Sequence, residues 1–247
     1  DDLRTGEVAT KRVAETGLPL IFLNRVGGQD EVSGGGGDDL GPLPQVGDDV
    51  IGERMIRLWA ADMGIDEREA AAVQGRATLP IRMLVDLMAE RTPFGASAIR
   101  RLVGVFVREV DAYLREAGAP ARESSRQVVV EALRRDKPEV VIAHSLGSVV
   151  AWEALWVALD VKVRTLITLG SPLGMNGVVF QRLLPAQAGP RGDRPPNVTT
   201  WVNIADRGDI VAIPVDFTKR FSPDEHVPTS IAHFDFHTAR KYLGSPE

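Results

Sequence analysis

The chain contains no cysteine, only two tyrosines and four histidines, and five lysines against 24 arginines. Without cysteine there is no disulfide, no thiol nucleophile and no thiolate metal ligand, although the compartment is left open. No basic run is present and the net charge is −5, which argues against a nucleic-acid footprint. No apolar run approaches the ~18–20 residues of a membrane span, so no integral membrane segment is expected. The first residues are acidic and polar and no apolar core of a signal peptide opens the chain, so a cytoplasmic location is expected. The chain opens on Asp1 rather than Met, which leaves room for a segment upstream. The excess of Arg over Lys reads as the mark of a GC-rich coding sequence rather than of a function.

With 44% hydrophobic residues, the 247-residue chain is globular rather than disordered. At this length a core can bury roughly three quarters of the unfolded surface without staples. No internal repeat or clear boundary is visible, so residues 1–247 are expected to form a single domain.

The opening 1–19 is polar, with a short helix expected to end at Gly17. Leu18 to Leu23 is a short continuous apolar run, the pattern of a buried strand. Residues 27–49 are rich in Gly, Asp and Pro and include four consecutive glycines, Gly34–Gly37, which indicates a flexible loop. No helix follows these glycines directly, so a phosphate cradle is not supported. From Val50 to Asp136 the spacing is helical. Ile56, Trp59 and Met63 share one face. Ile99, Leu102, Val103, Phe106, Val110, Tyr113 and Leu114 form a long stripe. Ser124-Ser125 is expected to open a further helix. These stripes suit core packing, and the region of about 50–120 also suits a helical insertion or lid over a pocket.

After Pro138 the pattern changes to strands alternating with helices: strands at Val140–Ala143, Val163–Leu169 and Thr199–Ala205, and helices at Ser148–Leu159, 176–184 and 237–243. Such alternation predicts an α/β fold with a mostly parallel sheet covered on both faces.

The segment Ala143-His144-Ser145-Leu146-Gly147 lies between a buried strand and an apolar helix. It follows the G-x-S-x-G elbow pattern with Ala143 at the first glycine position. A serine on such a turn adopts a strained backbone conformation, so its neighbours two residues away must be small, and Ala143 and Gly147 are. The following helix points its free N–H groups and positive dipole end towards the serine.

The run A-H-S-L-G-S-V-V-A-W-E-A-L, followed by T-L-I-T-L-G-S-P-L-G, resembles the α/β-hydrolase superfamily. Within it, the chain is similar to serine esterase and lipase-like proteins of actinobacterial type. The likeness covers about residues 98–243. It implies a three-layer α/β/α sandwich, a Ser, Asp, His triad in that chain order, an oxyanion hole, and hydrolysis of an ester or related acyl bond. It requires no cofactor and no metal.

Under this resemblance Ser145 is the nucleophile. The acid should follow a later strand, where Asp206 and Asp209 compete. Asp209-Ile210-Val211-Ala212-Ile213-Pro214 resembles the family's D-x-V-x-x-P and is favoured, with Asp206 as a turn residue bonding its own backbone. The base should precede the last helix. His237 stands directly before it, and His233 is the alternative base. His226 is expected in a solvated loop, and His144 is expected to pack away from the nucleophile. The Leu146 N–H is one oxyanion donor. The second is expected from Val26, or from Arg25 beside it, in a segment lacking the family's His-Gly, unless that loop lies upstream of Asp1. Ser171, in G-S-P, reads as structural or pocket-lining. Two Arg-Gly-Asp tripeptides, at 191–193 and 207–209, are read as coincidence in an Arg- and Gly-rich chain.

These expectations amount to a serine hydrolase (carboxylesterase or lipase-like) acting on a small-molecule acyl substrate. Acyl transfer or thioester hydrolysis would use the same triad, and a non-catalytic scaffold binding a ligand or partner is the alternative from another class. The sequence gives no expectation for the oligomeric state.

Overall fold

A computed structural model describes residues 7–12, 19–25, 50–73, 77–91, 95–209, 211–212, 216–230 and 239–244. The chain divides into two compact units. One comprises residues 1–28 and 116–247, and the other residues 29–115.

The first unit is built on a six-stranded sheet whose strands lie side by side in chain order. They are β1 (Glu7–Arg12), β2 (Pro19–Arg25), β3 (Val140–His144), β4 (Val163–Leu169), β5 (Val198–Asp206) and β6 (Glu225–Thr229). β1 runs antiparallel to β2, and β2 to β6 are parallel, as an α/β fold requires. The first strand departs from the expected opening helix. Val8 and Thr10 are β-branched and suit a pleated surface, and the segment pairs along its length with β2, Thr10 beside Ile21 and Lys11 beside Leu20. A backbone ladder supplied by the neighbouring strand outweighs weak local helix propensity.

Alternation along the central strands distinguishes two faces. Val141, Ala143, Leu166, Thr168, Trp201 and Asn203 are buried, whereas Val140, Ile142, Thr165, Ile167, Val202 and Ile204 are half-buried. Two helices of the unit, which we number α5 (Pro120–Asp136) and α6 (Leu146–Val157) after the four of the other unit, pack on one another, with α6 against β2 and β3. Every residue from Leu146 to Leu155 is buried, as befits a helix that is apolar all round. α5 starts at Pro120, before the expected Ser124. Proline has no N–H to lose in a first turn, and the Ser124 hydroxyl bonds back to the Pro120 carbonyl at 2.8 Å inside the helix. The helix ends at Lys137, whose left-handed conformation (φ 44°) returns its N–H to the Leu133 carbonyl.

The expected helix over 176–184 is reduced to one 3-10 turn, Phe180–Arg182. Gly177 sits at φ 78°, a conformation that interrupts a helix, and Pro185 restrains the residue before it. The following loop is fixed from below. Glu153 of α6 accepts from both Arg122 of α5 (Nε, 3.0 Å, and Nη2) and the Leu184 N–H (2.9 Å), while Arg122 also donates to the Arg182 carbonyl at 2.6 Å. Both side chains are fully buried. Further along, Trp152 donates its indole N–H to the Asp193 carbonyl, and Phe221 packs edge-on to Trp152 and Trp201.

The second unit holds α1 (Val50–Asp62), α2 (Glu67–Val73), α3 (Ile81–Glu90) and α4 (Gly95–Leu114). Met55, Trp59, Leu84, Val85, Met88, Val110 and Tyr113 are its buried residues of lowest exposure, and α1, α3 and α4 pack pairwise. Arg57 ties this unit together by donating to Glu53 on its own helix and to Glu67 of α2, which in turn accepts from the Leu79 N–H. Among the described residues, no helix is long and apolar enough to cross a membrane.

Removing one member of a buried ion pair strands the other, at a cost of about 3–5 kcal/mol, whereas exposed pairs contribute ~0–1 kcal/mol. Glu153→Ala is therefore expected to lower stability by several times the loss in Glu123→Ala, whose i,i+3 pair with Arg126 is half-exposed. Urea unfolding of the two variants measures the difference, and equal losses would contradict the assignment.

Candidate active site

β3 ends at His144 and α6 begins at Leu146, so one residue makes the whole turn. That residue, Ser145, holds φ 55° and ψ −137°. A β-carbon is strained in this region, at roughly 1–3 kcal/mol, and persists only where the surroundings impose it. Three hydrogen bonds impose it here. The Ser145 N–H donates to the Leu169 carbonyl at the end of β4 (3.0 Å), and the Ser148 N–H (3.0 Å) and hydroxyl (2.6 Å) both donate to the Ser145 carbonyl. Ser148 then accepts from Ser171 at 2.7 Å, and Ser171 accepts from the Leu173 N–H at 3.3 Å. Because each hydroxyl carries a single proton, the directions follow: Leu173 N–H to Ser171, Ser171 to Ser148, Ser148 to the elbow carbonyl. Ser171 is thus a structural residue that couples the loop after β4 to the elbow. Leu146 and Gly147 supply first-turn N–H groups that no carbonyl within the helix can reach.

The other carboxyl-terminal strand ends lie alongside. Gly170, directly after β4, donates its N–H to Ile204 of β5 (3.0 Å) and sits at φ 52°. A β-carbon there would fall 2.7 Å from Asp209 Oδ2 and 3.1 Å from the Tyr242 ring. The end of β4 therefore contacts the Ser145 turn on one side and the Asp209 carboxylate on the other.

Asp206 and Asp209 are both buried but differ in role. Asp206 closes β5, and its Oδ1 accepts from the Gly208 N–H at 2.6 Å, the local turn bond expected of it. Asp209 Oδ1 accepts from the Val211 N–H (2.9 Å), and its Oδ2 accepts from the Tyr242 hydroxyl (2.6 Å) on α7 (Ala239–Gly244). The same hydroxyl accepts from the Asp206 N–H at 3.1 Å. Burial first, and the negative charge of Asp209 second, push the Tyr242 phenol far above its usual range, so it stays a neutral donor.

The histidines divide in three ways. His144 is buried, its ring 5.9 Å from that of Tyr242. His226 is not in a loop but in β6, half-buried, where its Nδ1 accepts from the Asn203 amide at 3.1 Å. The acidic residues before it suggested solvent, but pairing of Glu225–Thr229 with β5 determines its place. His237 and His233, the candidate bases, and Val26, the candidate oxyanion donor, lie outside the described residues. Arg25 is the last residue of β2.

Tyr242, Ser148 and Gly170 are the residues that sequence reasoning passed over. Gly170 was legible as a glycine ending a strand. Nothing local marks Tyr242, since its partner Asp209 is 33 residues away. Among the described residues, no group of three or more metal-ligating side chains is gathered to hold an ion.

Gly170→Ala should be costly, because φ 52° and the 2.7 Å approach to Asp209 both oppose a methyl group. Gly118→Ala, with nothing within 4 Å of the added carbon and no positive φ, should be near neutral or slightly stabilising. Thermal melts of the two variants should differ by about 1–3 kcal/mol in stability or more. A Gly170→Ala protein as stable as Gly118→Ala would refute the described packing.

No protein family, curated protein or solved structure matches this chain, so the chemistry of the site rests on its own geometry.

Proposed function

We propose that the chain is a serine hydrolase of α/β-hydrolase type that cleaves an ester or related acyl bond. The observation that carries this reading is the backbone of Ser145: a non-glycine residue at φ 55°, between a parallel strand and the first turn of a buried helix. Strain of this kind persists where function requires it, and here it sets a hydroxyl beside the N-terminal donors of α6. The order of the strands supports the same reading. β3, β4 and β5 are parallel neighbours, so Ser145 and Asp209 follow strands whose carboxyl ends share one edge of the sheet. Open α/β sheets bind their ligands outside that edge. The architecture that accompanies the reading is a three-layer sandwich.

In the proposed reaction, Ser145 Oγ attacks the acyl carbonyl while His237 takes its proton. The Leu146 N–H, at the start of α6, receives the developing oxyanion, with a second donor from the Arg25–Val26 segment. Asp209 accepts from the imidazole, fixes its tautomer and stabilises the imidazolium. His237 then protonates the leaving group, and water, activated by the same base, resolves the acyl-enzyme. His233 is the alternative base.

A fluorophosphonate probe should label the wild-type chain at Ser145 and leave Ser145→Ala unlabelled. That variant should also lose turnover of p-nitrophenyl acetate without losing its fold. Turnover retained at the wild-type level in folded Ser145→Ala would overturn the proposal.

The two carboxylates separate in the same assay. Asp209→Asn should lose about 10⁴-fold in turnover, because an amide favours the wrong imidazole tautomer. Asp206→Asn should lose little, since an amide oxygen can still accept from the Gly208 N–H. His237→Ala should likewise cost far more than His233→Ala. The reverse ranking within either pair reassigns the acid or the base.

A further inference from the structure

We propose that Tyr242 is a positioning residue for the acid: its hydroxyl holds the Asp209 carboxylate in place and shares its negative charge with the histidine. This deepens the serine-hydrolase reading and rests on it. The geometry is specific. The phenol donates to Asp209 Oδ2 at 2.6 Å and accepts from the Asp206 N–H at 3.1 Å, so both faces of the hydroxyl are occupied. Asp206 is the last residue of β5, so the sheet itself fixes the oxygen that fixes the acid. The ring lies beside His144 of β3 and against Gly170, where a positive φ and the absence of a β-carbon make the room that the contact needs.

A hydrogen bond to an ionised carboxylate favours the charged form and lowers its appetite for a proton. Among the described residues, the titratable groups around the hydroxyl are Asp209, Asp206 and, across the ring, His144. Weakening the phenol's bond should leave the carboxylate a tighter partner for the imidazolium and raise the pH at which the base becomes competent. The position of α7 adds a second consequence. Tyr242 is five residues beyond His237 in sequence, so the hydroxyl anchors to Asp209 the helix that begins two residues after the proposed base.

Tyr242→Phe keeps the ring and removes only the hydroxyl. It should lower kcat about tenfold to a hundredfold, the range for losing one bond to a charged group, with KM little changed. The acidic limb of its pH–rate profile should move to higher pH. The chain has just two tyrosines, so uniform replacement by 3-fluorotyrosine gives the opposite perturbation, a stronger donor at Tyr242. That protein's acidic limb should move to lower pH. Fluorotyrosine-grown Tyr242→Phe, which carries the label at Tyr113 alone, controls for the second site.

Opposite movements of the limb support the proposal. A limb that stays in place in both proteins overturns it, even if Tyr242→Phe is slower or melts earlier, because that describes a residue that only packs. If Tyr242→Phe fails to fold, the fluorotyrosine protein alone decides by the same criterion. Fluorophosphonate labelling is run alongside. Wild-type protein that is not labelled overturns the serine-hydrolase reading and this role with it, whereas labelled protein with an unmoved limb overturns the role alone.

Discussion

A single residue, Ser145, carries the chain from β3 into α6 with its backbone at φ 55°, and much of the neighbouring structure serves to keep it there. The conformation is intrinsically unfavourable, so it must be over-determined. Ala143 and Gly147 keep the turn clear of bulk. The end of β4 supplies a carbonyl to the Ser145 N–H, and Ser148, backed by Ser171, holds the Ser145 carbonyl. Since these partners come from the adjacent strand and from the first turn of the helix, the turn can be maintained only once β3, β4 and α6 are packed. The sheet is thus a precondition of the site rather than a platform to which the site is added.

The same economy appears at the end of β4. Gly170 follows Leu169, which holds the elbow, and itself bonds to β5 and abuts Asp209 and Tyr242. Two adjacent residues on one strand end thereby link the Ser145 turn to the Asp209 carboxylate. The loop after them is secured separately, by the buried Arg122–Glu153 pair beneath residues 182–184 and by the aromatic contacts of Phe221 with Trp152 and Trp201. An ion pair in that position contributes less to net stability than it costs to break, and its further bonds to the Arg182 carbonyl and the Leu184 N–H fix where the loop lies.

Much of this was legible in the chain because the signals are local. A five-residue pattern between an apolar run and an apolar helix located the Ser145 turn. Helical spacing marked the helical region from Val50 to Asp136, and apolar or β-branched runs located β2, β3, β4 and β5. At two of the misread segments the neighbouring strand decided. Glu7–Arg12 is polar enough to suggest a helix but forms a strand because β2 pairs with it. His226 follows two acidic residues yet lies in β6, because β5 offers its edge and Asn203 its amide. Residues 176–184 have the composition of a helix, but Gly177 and Pro185 break it after one turn.

The sequence by itself determined the alternation of strands and helices from β3 to β5, the place of the Ser145 turn and the presence of two rival carboxylates after β5. Each of these depends on neighbours within a few residues, through periodicity, small side chains and turn chemistry. Only the tertiary structure distinguished the carboxylates by their partners, giving Asp206 a bond within its own turn and Asp209 the hydroxyl of Tyr242. It alone joined Ser148 to Ser171 and Arg122 to Glu153. These pairs are 23 to 33 residues apart, and a hydrogen bond acts over about 3 Å, so their meeting is decided by how the strands and helices pack.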